Sequence, residues 1–233
     1  MNNIISLIAL SLFFSCNYFS EPKSTSQKQN LNSPKCIEIV KCGDIDLCLP
    51  EIDGLTERYK NPLVKPKADE YTYPGNSILA FYVNDSTYNQ VQRHEEVAFQ
   101  DCFKVYLIDK MKGLKIGQIE LNQIAQTFEN ANSKYDWDKL ITEIEKKIDN
   151  LSIGKPVLLK SYSPSKQIRT FVLLTKKIVK EKEYITLMTM NLILVKERLV
   201  FISYYKNYDG IESVNKVIAK NDYIVFRFLD ENK

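Results

Sequence analysis

The stretch EYITLMTMNLILV, residues 183–195, is apolar on both of its faces. One parity carries Tyr184, Met188, Met190, Leu192 and Leu194, and the other carries Ile185, Leu187, Ile193 and Val195. Successive side chains of a strand point to opposite faces. Such a run therefore belongs inside a sheet that is covered on both sides. A hairpin or a one-sided sheet would leave one of these faces in water.

The neighbouring sequence supplies the rest of that sheet. PVLLKSY, IRTFVLLTKKIV and RLVFISYY read as strands, as do SILAFYVND (77–85) and VAFQDCFKVYLI (97–108). CIEIVKCGDIDLCLP alternates and turns at Gly43-Asp44, which predicts a β-hairpin. Cover comes from three helices. Leu121, Ile124, Ala125 and Phe128 recur at helical spacing. Trp137, Leu140, Ile141, Ile144 and Ile148 form a second stripe at about 135–150. Ile211, Val214, Ile218, Val225, Phe228 and Leu229 form a long final one, with Asn221-Asp222 expected to kink or split it. The expected fold is α/β (α+β): a largely antiparallel sheet with helices on both faces, a three-layer sandwich.

This element order resembles the α/β/α sandwich of PsbP, the extrinsic photosystem II protein, and of the Mog-type Ran-release factors. DLCLPEIDGLTERY, NSILAFYVND and LILVKERLVFISYY with the terminal helix carry the resemblance. Members of that group mostly bind other proteins, so the resemblance implies binding rather than catalysis. It transfers no functional residue, since no site motif of the family matches.

At the other end of the chain, Ile4 to Phe14 is an apolar run broken only by Ser6 and Ser11. As a helix it rises about 16 Å, roughly half of a bilayer core of about 30 Å, so it cannot span stably. It fits the apolar region of a secretory signal, ending at Ser15-Cys16. Phe13-Phe14-Ser15-Cys16 resembles the lipobox of bacterial lipoproteins, whose cysteine is acylated and becomes the new N-terminus. The two phenylalanines, and the absence of Lys or Arg before the run, depart from that pattern. The resemblance implies lipidation at Cys16 and anchoring in the cell envelope, at the outer membrane on its periplasmic side. The polar residues that follow Cys16 lack periodicity and are too polar to bury a core, which predicts a disordered tether. The expected organisation is signal peptide 1–15, tether 16–35 and a single domain 36–233.

Composition excludes several activities. A net charge of +3 is too small to point to nucleic acid. The seven glycines are scattered singly and form no phosphate-cradling loop, so no ATP or NAD cofactor is expected. His94 is the sole histidine, so RHEEV lacks the second ligand of a zincin motif. It reads as a surface residue in a charged loop. Asp136 with Asp138, and Glu95 with Glu96, are carboxylate pairs that nothing in the sequence assembles into a cleft.

Export would place Cys36, Cys42, Cys48 and Cys102 in an oxidising space, with three possible pairings. A two-residue turn at Gly43-Asp44 sets Cys48 opposite Ile39, with no cysteine neighbour across the ladder. Cys102 is then the natural partner for one of the three, buried reduced thiols being the alternative. The cysteine spacing does not suit structural zinc, so no metal is expected.

TKKIVKEKEY interleaves lysines with Glu181 and Glu183 and reads as a solvated hairpin end. YTYPGN (71–76) has the composition of an exposed loop with aromatic anchors for a protein surface. Together these features predict a lipid-anchored, periplasm-facing module that binds a protein partner without catalysis. The alternatives are an immunity protein against a periplasmic toxin and a hydrolase with an unrecognised site.

Overall fold

The computed structural model describes residues 36–70, 72–95, 99–131, 156–179 and 182–233. The expected signal peptide, Cys16, the tether and the helix expected at about 135–150 lie outside these residues.

The chain opens with the predicted hairpin, β1 (Cys36–Cys42) against β2 (Ile45–Pro50), with Cys42 paired to Ile45 across Gly43-Asp44. Gly43 has φ +62°, and a Cβ there would lie 2.5 Å from the carbonyl oxygen of Lys112. The turn needs glycine both for its backbone and for the space. Then follow β3 (Thr56–Glu57), α1 (Lys65–Glu70), β4 (Asn76–Val83), α2 (Asp85–Gln92), β5 (Cys102–Ile108) and α3 (Gln118–Ala131). The chain ends with β6 (Val157–Ser165), β7 (Ile168–Val179), β8 (Lys182–Val195), β9 (Arg198–Asn207) and α4 (Ile211–Glu231).

Seven of these strands form one antiparallel sheet in the order β3-β4-β5-β9-β8-β7-β6. Consecutive hairpins make β6 to β9, and β9 then lies beside β5, in the middle of the sheet. The strand β8, apolar on both faces, is interior and is covered twice. Its Leu187, Ile193 and Val195 join Val214, Val217, Val225 and Phe228 of α4 and Leu47 and Leu49 of β2. Its Leu192, with half-buried Met188 and Met190, joins Leu121 and Ala125 of α3. Val64 and Ala68 at α1 and Val91 of α2 cover Phe81 and Val83 of β4 on the α3 side. The molecule is thus a mixed α+β sandwich with helices on both faces of an antiparallel sheet.

Three expectations need correction. Helix α4 runs unbroken through Asn221-Asp222. Asn221 does not loosen the helix because its side chain is fully buried against the sheet. Its Oδ1 accepts from Asn191 Nδ2 (2.7 Å) and from Thr189 Oγ1 (2.6 Å), and its Nδ2 donates to Asn191 Oδ1 (3.1 Å). Of the strand expected over 97–108, residues 97 and 98 lie outside the described residues, and the strand β5 begins at Cys102, after Asp101 with its left-handed φ of 55°. The run SILAFYVND stops being a strand at Val83. Asn84 caps α2 instead, its Oδ1 accepting from Thr87 N at 2.7 Å.

One further clamp joins the layers. Asn232, just after α4, accepts from the Cys48 amide (2.8 Å) and donates to the Cys48 carbonyl (2.9 Å). Its side chain thereby ties the end of the helix to the hairpin.

Candidate functional site

A cavity of about 440 Å³ opens on the α3 face of the sheet. Strand alternation builds its floor. Cys102 and Lys104 of β5, Tyr205 of β9 and Met188 of β8 share the parity that faces this side. Phe81 and Phe99 meet edge to face at its wall, with ring centroids 5.0 Å apart. The rim is the segment Thr72-Tyr73-Pro74, between α1 and β4. Gly75, at φ +86°, turns that segment into β4, and its carbonyl accepts from Asp109 N at 2.9 Å. Tyr73 stands out from the rim with 77% of its surface exposed.

Lys104 is the unusual member. Only 4% of its surface is exposed, a burial rare for lysine. Its Nζ lies 5.0 Å from the ring centre of Tyr106 and 5.8 Å from that of Tyr205, and donates to Thr72 Oγ1 at 3.4 Å. The Thr72 hydroxyl in turn donates to the Ala68 carbonyl at 3.1 Å. Burial pushes the Tyr205 hydroxyl well above its ordinary pKa and raises that of Tyr106 as well, so both remain neutral phenols. The arrangement suits retention of an apolar group beside a cation. It sets no tyrosine up as a base.

Two more polar depressions share walls with this cavity. One, of about 400 Å³, lies across the Thr72-Tyr73-Pro74 rim and holds Tyr59, Lys65 and Asp69. There Tyr59 donates to Asp69 (2.8 Å) and Lys65 Nζ to Asp69 (2.7 Å). This contact lowers the Asp69 carboxyl and pushes Lys65 up to about 12. The other, of about 460 Å³, lies beyond Gln100, Tyr184 and Asn207 and holds Asp101 and Lys206. A groove with an apolar centre and polar ends results.

The sequence-selected residues fall partly on this groove. Thr72, Tyr73 and Pro74 of the YTYPGN loop form its rim, and Cys102 lies in its floor. The thiols depart from the ladder reading. Ile39 does pair with Cys48, but a bulge between Cys36 and Glu38 brings Cys36 to a Cα distance of 5.4 Å from Cys48, and the two form a disulfide. Cys42 and Cys102 are buried thiols on opposite faces of the sheet, too far placed to pair. Burial pushes the Cys42 thiol up, which leaves it protonated and unreactive.

Elsewhere the named residues stay apart from the groove. His94 is exposed and has φ 57°, where it ends α2 with its amide donating to Val91 O. Glu95 pairs with Arg93 at 2.7 Å. Lys176 pairs with Glu183 across the β7–β8 ladder at 2.8 Å. Glu96, Asp136, Asp138 and Glu181 lie outside the described residues, among which no three His, Cys, Asp or Glu side chains converge as metal ligands would. Lys104 escaped the sequence reading. Its signal was there, a single charge inside the otherwise apolar CFKVYLI.

No protein-family model matches the chain, and no curated protein matches it either. Among solved structures, it is similar to the Saccharomyces cerevisiae Ran-binding protein Mog1p. The identity is 12% and the TM-score 0.35, covering 80% of this chain and 86% of that one. A mutant of Mog1 gives 12% identity and a TM-score of 0.34, covering 84% of this chain and 93% of that one. Both belong to the Mog type that the element order resembles, and at these TM-scores they add nothing to the reading of the groove.

Proposed function

We propose that the protein is a lipid-anchored, periplasm-facing bacterial lipoprotein whose folded domain holds a partner protein without transforming it. The observation that supports binding is the groove, an apolar floor beside the largely exposed Tyr73. Concave apolar sites with a few convergent polar groups are the usual seats of ligands, and rigid aromatic residues are the usual anchors of protein contacts. The support for the anchor is the short apolar run ending at Cys16, followed by a polar tether.

A photo-reactive phenylalanine placed at Tyr73 tests the binding face in cells. One discrete adduct is expected from that position, and none from the same probe at Ile39, which is exposed on the hairpin. Equal labelling from both positions, or none from position 73, contradicts the proposal. Mass spectrometry of the mature N-terminus tests the anchor: acyl chains on Cys16 are expected, and Cys16→Ala should release the protein from membranes. An adduct that proves to be a toxin held one-to-one would make the holding role that of an immunity protein.

A further inference from the structure

We propose that the groove receives an extended, basic segment of the partner polypeptide. A large apolar side chain enters the central cavity over Phe81, Phe99 and Met188, and lysine or arginine side chains meet Glu70 and Asp209. The inference rests on reading the groove as a binding face and adds the kind of chain that lies in it.

The charges of the groove select the segment. Three lysines line the cavity and its two polar neighbours, and each is already engaged: Lys65 with Asp69 at 2.7 Å, Lys206 with Asp101 at 3.5 Å, and Lys104 with Thr72 Oγ1 at 3.4 Å. Two carboxylates differ. Glu70 lines the central cavity and Asp209 the polar depression beyond it, and both residues are exposed. Among the described residues, neither carboxylate makes a hydrogen bond or an ion pair. The unanswered charge of the groove is thus negative, in a chain whose net charge is +3. Complementary charge steers association and rejects wrong partners, so an acidic segment would meet two like charges and a basic one none.

The amides select a polypeptide. Gln90, Gln100 and Asn207 are half-buried in the wall of the depression that holds Asp209, and Gln100 and Asn207 also line the central cavity. None of their side-chain amides is bonded among the described residues. Each offers an NH2 donor and an oxygen acceptor, the same pair that every residue of an extended main chain presents. A neutral saccharide would use these amides but leave both carboxylates and the apolar cavity unanswered. A peptide segment uses all three.

The test is selection of a phage-displayed random dodecapeptide library on the purified full chain in detergent micelles. Enriched peptides should carry a large apolar residue with Lys or Arg a few positions away. By fluorescence anisotropy, the most enriched peptide should bind the double variant Glu70→Gln, Asp209→Asn at least about five-fold more weakly. Replacing its basic residues by Gln should cost the same on the natural protein. Should the double variant not fold, as judged by circular dichroism, the Gln-substituted peptide decides alone. Basic peptides that bind the folded double variant undiminished overturn the charge assignment. Acidic or uncharged peptides whose binding Met188→Trp abolishes also overturn it, but leave the groove as a binding face. No enrichment, with the cross-link from position 73 still formed in cells, overturns the linear segment alone. No enrichment and no cross-link overturn the binding face with it.

Discussion

Asn221 and Asn191 face each other in the interior, each amide using both its oxygen and its nitrogen, with the Thr189 and Thr170 hydroxyls closing the set. Buried amides are tolerable only when satisfied in this way. Asn221→Ala should therefore cost about 2–3 kcal/mol, because it strands the Thr189 hydroxyl and takes one donor and one acceptor from the Asn191 amide, which keeps only Thr170 and the Ile202 carbonyl, as well as losing its own bonds. A drop in the midpoint of urea unfolding at unchanged slope would register it. Asp44 makes a second residue-scale case. Its carboxylate accepts from Arg198 Nε (2.9 Å) and Nη2 (2.6 Å), and this contact holds its pKa below the ordinary 3.8. A lowered carboxyl stabilises the fold above its unfolded value and loses that contribution as the pH falls through the folded one. The stability gap between the natural protein and Asp44→Asn should thus be constant above pH 3.8 and narrow below it, as followed by thermal unfolding against pH.

At the scale of elements, the hairpins were legible in the sequence. Alternation fixes which residues share a face, and the two-residue turn at Gly43-Asp44 fixes the register beside it, so the pairings of β1–β2 and of β6 to β9 follow from pattern, their bulges apart. What the pattern misses is local competition for the backbone. Asn84 turns an apparent strand end into a cap for α2, and Asp101 delays β5 by a left-handed residue. The same limit hid the disulfide, since a regular ladder keeps Cys36 away from Cys48 and a one-residue bulge brings them together. Closing a loop of sequence separation 12 is worth about 2–3 kcal/mol in the unfolded chain. Reduction should lower the stability by that amount while the sheet persists. Cys42 and Cys102, both buried, should resist alkylation until the protein unfolds, which a mass-shift assay reads directly.

For the whole molecule, the sequence delivers the sandwich but only part of the site. The double-faced strand β8 demands cover on both sides, and α4 with α3 supplies it. The groove arises where five strands and a rim loop converge, from residues as far apart as Thr72 and Tyr205. Linear patterns cannot show that meeting. The composition of YTYPGN indicated the rim, and the lone lysine of CFKVYLI marked the floor without revealing that it would be buried. Met188 lies half-buried at that floor, so Met188→Trp adds bulk to the cavity without touching the Asn191–Asn221 network on the opposite face. The decisive measurement is the yield of the cross-link from position 73 in cells, compared between the natural floor and Met188→Trp. With the variant folded to a similar melting temperature, the groove as binding face predicts a fall of about ten-fold or more. An undiminished cross-link from a folded Met188→Trp protein would contradict it.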